Sequence, residues 1–341
     1  MGEYARSLAV ANGAVARWPG AAIRFMLSRA APYAARTPHP ATLLTSSPTF
    51  QTAAVIELIE SWRPDVVIFD NAGRTAQLRA ARRSGARVVY ISARPRQRRK
   101  AFRLRWMGLI DEHWIAYPEF LAGSLGRLER LKLAVLHRPK VRFLDVILSA
   151  DRAAQPDAMH AGTGFAADGY VLVIPGGGTG HPRARDAVDQ FLAAARGLAA
   201  LGVDTILVGR EPAPSDLAAA HLKLLGMVPQ SALAQLMRGA RLVIANGGST
   251  LLQAIACGKP CIAVPIAGDQ DERVRRCEAA GATRGAPLDA AAIQAAAVAL
   301  LEDAPALAEL RGRAVALKLA DGVEVAVRAL EALLAGRPGR T

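Results

Sequence analysis

Apolar residues recur at helical spacing from the start of the chain, at Tyr4, Leu8, Ala11, Val15 and Trp18, and predict an amphipathic helix. Ala22 to Leu27 reads as a strand. Ser47-Pro48 reads as a helix start, a capping hydroxyl ahead of a proline in the first turn. The helix that follows carries Val55, Ile59 and Trp62 on one face. Asp65 to Phe69 is a short apolar run behind Arg63-Pro64, the pattern of a strand covered on both faces. A helix is expected over Thr75 to Arg83 and a strand over Arg87 to Ile91. Repeated strand–helix units of this kind build a parallel sheet with helices on both sides.

The pattern lapses between Ser149 and Gly169, where small and polar residues with Pro156 predict a linker. A second series begins at Tyr170. It predicts strands at Tyr170–Ile174, Asp204–Val208, Arg241–Ala245 and Cys261–Val264, and closing helices from about Ala290 to Leu334. The expectation is an α/β chain of two doubly wound, Rossmann-like domains with a cleft between them. Residues 1–150 form the first domain, 151–169 the linker and 170–341 the second. A doubly wound domain ordinarily opens with a strand and a glycine turn. Here Met1-Gly2-Glu3 runs directly into the first helix, so the first strand of the N-terminal domain is expected to be missing.

Composition changes this picture in few respects. At 341 residues, 52% hydrophobic and 21% charged, the chain has the profile of a folded two-domain protein. No apolar run reaches the roughly 18 residues of a membrane-crossing helix. No secretory signal pattern opens the sequence. Cys257, Cys261 and Cys277 are odd in number and lack metal-type pairing, so they read as reduced thiols of a cytoplasmic protein. The net charge of +14 favours an anionic partner, and the placement of the arginines matters more than their number.

The densest chemistry lies between Gly226 and Arg276. It runs Gly226-Met227-Val228-Pro229-Gln230, then Asn246-Gly247-Gly248-Ser249-Thr250, then Gly258-Lys259-Pro260, then Pro265 and Asp269-Gln270. A strand that ends in Gly-Gly-Ser-Thr and passes straight into a helix presents unpaired amides and a partial positive charge. Glycines let a phosphate approach the backbone, and two hydroxyls add donors, which makes a diphosphate seat. An ordinary strand–helix turn capped by Ser249 has the same local sequence, and the order of the whole constellation is what favours the seat.

That order resembles the donor-binding region of nucleotide-sugar glycosyltransferases of the two-domain GT-B type, among them the lipid II synthase and UDP-glycosyltransferase families. The resemblance implies that Val228, Pro229 and Gln230 flank the nucleotide base. It implies that Gly247, Gly248, Ser249 and Thr250 hold the diphosphate and that Asp269 and Gln270 bond the sugar. Asn246 stands where many relatives have histidine. Gln253 stands where many have a ribose-binding glutamate, so uridine is only the default nucleotide. A second glycine turn, Pro175-Gly176-Gly177-Gly178-Thr179-Gly180-His181, reads either as a further donor contact through Gly177, Gly178 and Thr179 or as a plain loop.

Sugar transfer also needs a base for the acceptor hydroxyl. Glu3, where related families carry a histidine turn, and Asp70, at the end of an internal strand, are the two candidates. Arg94 to Arg105 is densely basic. Arg96, Arg98 and Arg99 with Phe102 and Trp106 suit an anionic membrane surface or a phosphate-bearing acceptor, while a solvated basic loop would have the same composition. The expected activity is glycosyl transfer to an acceptor hydroxyl, lipid-linked or membrane-associated, by a cytoplasmic protein peripheral to the inner face of the membrane. No metal and no cofactor beyond the nucleotide sugar are expected. A nucleotide-sugar hydrolase or epimerase on the same fold, and a non-catalytic nucleotide-sugar or nucleic-acid binder, are the alternatives, with nucleic acid the least favoured partner.

Overall fold

A computed structural model describes residues 2–148, 164–176, 186–211 and 220–335. The chain divides into two compact units. Unit 2 is the continuous stretch Leu148–Ala320, and unit 1 combines Met1–Ile147 with Asp321–Thr341. The last helix of the sequence therefore belongs with the first unit, not with everything from residue 170 onward. Its attachment is specific. Gly322 donates its N–H to the Val146 carbonyl (2.7 Å), and Gly13 opens the first helix to Val323. A Cβ at Gly13 would lie 2.5 Å from Val323 Cγ1. Helical periodicity marked this segment as a helix but carried no information on which core would receive it. Of the expected linker, residues 149–163 lie outside the described residues.

Unit 1 begins with α1 (Gly2–Arg17), then β1 (Phe25–Ser28), β2 (Ala41–Leu44), α2 (Thr52–Trp62), β3 (Val66–Asp70), α3 (Thr75–Arg83) and β4 (Arg87–Ser92). Next come α4 (Pro95–Ala101), α5 (Leu104–Met107), β5 (Glu112–Ile115), α6 (Glu119–Ala122), α7 (Arg127–Leu136) and β6 (Lys140–Phe143). All strand pairs are parallel, in two hydrogen-bonded sets, β1–β2 and β3–β4–β5–β6. The two sets share apolar layers. Met26 and Val67 pack on one cluster, and Ile23 and Val66 on another. Three strands of unit 1 escaped the sequence reading. β2 is four residues long, and β5 and β6 carry Glu112, His113, Lys140 and Arg142 in place of an apolar run. Ser47-Pro48 forms a turn closed by the Phe50 N–H on the Ser47 carbonyl, and α2 starts only at Thr52.

In unit 2 the described elements are β7 (Tyr170–Ile174), α8 (Ala187–Ala200), β8 (Thr205–Val208), β9 (Leu222–Leu225), α9 (Gln230–Gly239) and β10 (Ala240–Asn246). They continue with α10 (Ser249–Ala256), β11 (Cys261–Val264), α11 (Gly268–Ala279), β12 (Arg284–Gly285), α12 (Ala290–Glu302) and α13 (Ala304–Ala316). The closing helix of unit 1 is α14 (Gly322–Leu334). The six strands of unit 2 are parallel in the order β12-β11-β10-β7-β8-β9. Counted within the unit this is 6-5-4-1-2-3, the doubly wound dinucleotide order, whose strand sequence reverses between β7 and β10. Val173, Leu242, Ile244 and Val264 are sealed in the core beneath that point. Among the described residues no single helix is long and apolar enough to cross a membrane.

Candidate functional site

Ligands of an open α/β sheet bind beyond the carboxyl ends of the strands at the point where the order reverses. In unit 2 that point receives Pro175-Gly176 from β7 and Asn246-Gly247-Gly248 from β10. Asn246 ties the two together. Its Nδ2 donates to the Pro175 carbonyl (2.8 Å), and its Oδ1 accepts from the Gly248 N–H (2.7 Å). This contact requires glycine at Gly176 and Gly248. Gly176 has φ +90°, and a Cβ there would fall 1.8 Å from Asn246 Nδ2. A Cβ on Gly248 would fall 2.5 Å from Asn246 Oδ1, and one on Gly247 2.7 Å from Val274 Cγ2. The residue that departs from the histidine of many relatives is thus a latch between two loops.

Gly248 caps α10, whose first turn is Ser249 and Thr250. Ser249 is exposed and Thr250 buried. The first-turn amides of a helix have no intrahelical acceptor and carry the positive end of its dipole, so this turn suits an anion. α11 borders the same turn. Gln270 accepts the Ile266 N–H on Oε1 (2.9 Å), and its Nε2 comes within 3.6 Å of the position a Gly248 Cβ would take. Asp269, one residue earlier, is largely exposed. Arg273, one helical turn on, donates to the Gly247 carbonyl (2.7 Å) and lies 3.4 Å from Asp269 Oδ2. Arg273 escaped the sequence reading. Its only signal there was its spacing, four residues beyond Asp269 on a helix.

Val228 is half-buried ahead of Pro229, which caps α9, and Gln230 opens that helix. Gln253 Nε2 donates to Gln230 Oε1 (3.2 Å), so residues assigned to the base and to the ribose share one patch. Gly177, Gly178, Thr179 and His181 lie outside the described residues.

In unit 1 Asp70 is not a free base. Arg6 grips both of its oxygens, with Nε on Oδ2 at 2.9 Å, and Ser7 Oγ donates at 3.2 Å. Burial raises the Asp70 carboxyl above its ordinary pKa, and the Arg6 guanidinium pulls it back only in part. Arg6 was not singled out from sequence, because on α1 it occupies a position that reads as surface. Glu3 is exposed on the first turn of α1 and accepts from Asn71 Nδ2 at 2.8 Å. Asn71, at φ +51°, is itself fixed by the Ala93 N–H on its Oδ1 (2.7 Å).

The basic stretch differs from expectation. Pro95–Ala101 is helical, and Phe102 and Trp106 are buried, at 3% and 0% exposure. They therefore cannot meet a membrane. Arg98 is structural, paired with Glu129 and bonded to the carbonyls of Ala122, Gly123 and Ser124. Arg96 and Arg99 remain exposed.

The comparisons with known proteins bear on the fold and on the sequence of the second unit. Residues 172–303 match the family model described as glycosyl transferases group 1. No curated protein matches the sequence. Among solved structures, Phytolacca americana UGT2 complexed with UDP-2fluoro-glucose and pterostilbene is 14% identical, covers 98% of this chain and 97% of its own, and has a TM-score of 0.60 or better, at 0.68. The Streptomyces sp. SF2575 glycosyltransferase SsfS6, complexed with thymidine diphosphate, is 15% identical over 95% of each chain, with a TM-score of 0.56. A putative UDP-N-acetylglucosamine 2-epimerase from Listeria monocytogenes is 15% identical over 86% of this chain and 82% of its own, with a TM-score of 0.55. The chain has the two-domain GT-B fold, and its second unit carries the glycosyl transferases group 1 sequence pattern over residues 172–303.

Proposed function

We propose that this protein transfers a sugar from a nucleotide-diphosphate sugar to an acceptor hydroxyl, with the donor held in unit 2. The observation that carries this reading is the latched glycine turn at the strand-order reversal, opening directly into α10. Breaking the anomeric bond puts negative charge on the leaving diphosphate. In this reading the α10 amides and the Ser249 and Thr250 hydroxyls would stabilise that charge. Val228 and Gln230 would border the base, Gln253 the ribose, and Asp269 and Gln270 the sugar hydroxyls. Relatives of this fold are complexed with UDP-2fluoro-glucose or with thymidine diphosphate, and either nucleotide suits a site with Gln253 at the ribose.

Glu3 is the base in this reading, because Asn71 orients its carboxylate while Asp70 is committed to Arg6. An acceptor carried in a lipid surface fits the exposed leucines of α7. The test is incubation with UDP- and TDP-sugars, with and without acceptor alcohols, scoring free nucleotide diphosphate and glycosylated product. Acceptor-dependent release supports transfer. Release or sugar interconversion independent of acceptor would replace transfer with the hydrolase or epimerase reading, which the Listeria neighbour favours. No selective stabilisation by any nucleotide diphosphate in thermal unfolding would remove the donor site itself.

A further inference from the structure

α7 is an amphipathic helix whose apolar side is turned outward. Its sequence, Arg-Leu-Glu-Arg-Leu-Lys-Leu-Ala-Val-Leu, has strong helix formers at every position but Val135, and not one of its residues is buried. Leu128, Leu131 and Val135, at i, i+3 and i+7, form one stripe and are 63%, 60% and 68% exposed. The helix is nevertheless fastened in place from its other side. Glu129 pairs with Arg98 and caps the Gly126 N–H, and Lys132 donates to the Phe102 carbonyl. Two residues beyond that carbonyl, Leu104 is also 61% exposed. A single exposed leucine is ordinary. A stripe of aliphatic residues on an anchored helix marks a surface built to be covered.

The charge around the stripe says by what. Arg127 and Arg130 are exposed on α7, and Arg96, Arg99, Arg103 and Arg105 are exposed on the neighbouring basic segment. None of these six has an ion-pair partner among the described residues. The acidic residue that α7 does carry, Glu129, is already neutralised by Arg98. Apolar side chains flanked by unpaired arginines fit a surface that is apolar inside and anionic outside. We propose that α7 is an interfacial docking helix, which lies on an anionic lipid bilayer with Leu128, Leu131 and Val135 in the acyl boundary and the arginines at the headgroups. At ten residues it spans about 15 Å, enough for three side chains to enter together and too short to cross. This surface is independent of the donor site, so each can fail without the other.

The test uses the purified full chain, sedimented with vesicles of phosphatidylcholine alone and of phosphatidylcholine mixed with phosphatidylserine. The parent protein should bind the mixed vesicles, lose that binding as salt is raised, and ignore the neutral ones. Leu128→Ser with Leu131→Ser should lower partitioning at least about tenfold. Its circular dichroism, melting temperature and nucleotide-diphosphate affinity should not change, because neither leucine is buried in the fold. Arg127→Glu with Arg130→Glu should weaken binding to mixed vesicles and flatten its salt dependence. The proposal is overturned if the parent ignores mixed vesicles, or binds both kinds equally. It is also overturned if the double serine variant binds as the parent does. Sedimentation velocity supplies a further outcome: a dimer that the serine substitutions dissolve would make a second copy the occupant and refute the lipid assignment.

Discussion

Asn246 offers the sharpest test of the donor site, because one side chain holds both glycine loops. Asn246→Ala deletes two hydrogen bonds. The Pro175 carbonyl is buried and would be left without its partner, at a cost of about 1–3 kcal/mol. The Gly248 N–H is only half-buried, so water can replace part of what it loses. The sum is about 2 kcal/mol, or a fall of about 4–8 °C in the melting temperature of a unit this size. Asn246→Asp is the more informative variant. It keeps the shape and the acceptor for Gly248, loses the donor to Pro175, and sets a negative charge beside the proposed phosphate seat. Two unit charges about 5 Å apart at an effective dielectric of about 20 repel by about 3 kcal/mol, which is about 100-fold in Kd. Calorimetric titration with UDP and TDP, alongside thermal unfolding, measures both effects. If Asn246→Asp melts lower but binds both nucleotides as the parent does, the diphosphate does not sit at this turn. If neither quantity moves, the latch has no energetic role.

Other side chains give independent checks. Arg6→Ala should strand the buried Asp70 carboxylate and destabilise unit 1 by about 3–5 kcal/mol, whereas replacing the pair together by Met and Leu should recover most of that; equal losses in chemical denaturation would show that packing, not charge, holds the site. His113 is fully buried against Ser92 Oγ, and burial pushes its pKa down to about 3 from 6.5, so the unfolded chain takes up a proton between those values that the fold refuses. Its contribution is therefore intact above pH 6.5 and lost as pH falls toward 3, at about 1.4 kcal/mol per pH unit or about 2 kcal/mol by pH 5. His113→Gln should flatten the stability profile between pH 6.5 and 5, and an unchanged slope would place the titrating group elsewhere. Asp269→Ala should weaken binding of a nucleotide sugar about tenfold while leaving free UDP affinity and stability untouched, since the side chain is mostly exposed and makes one long contact with Arg273; equal losses for both ligands would remove Asp269 from the sugar.

Buried strands made only of apolar residues were legible in the sequence as short continuous runs. Tyr170–Ile174 and Cys261–Val264 were bounded to the residue; the helix Thr75–Arg83 was found instead from its helical spacing, with Leu78 and Ala81 inward and Arg79 outward. β5 and β6 were not, because their charges are satisfied by tertiary partners that no local window contains. Glu112 is buried against Arg142 and Trp114 Nε1, and Asp111 collects Arg82 and Arg138. The glycine turn ahead of α10 stood out for a similar reason in reverse: the glycine and hydroxyl residues there form no apolar run to obscure their spacing. Interleaved arginine and aromatic residues at 94–106 misled, since Phe102 and Trp106 point inward, and the exposed aliphatic residues nearby are Leu104 and the stripe on α7. Helical spacing can show that a stripe exists, but not which side of it the rest of the fold leaves uncovered. The fate of Asp70 was equally hidden, because its partner Arg6 is 64 residues away.

The return of α14 to unit 1 makes unit 2 an insertion. The chain enters it once, at Leu148, and leaves it once, at Ala320, and both stretches outside those points are needed to complete one core. Anyone who exchanges unit 2 between relatives therefore has two junctions to match, and a chimera joined only near residue 148 would import a foreign α14 against α1 and the Leu144–Val146 segment. Natural variation in α14 carries the same trap. By position it follows unit 2, yet its substitutions, Val323 against Gly13 above all, would register as changes in the folding of unit 1.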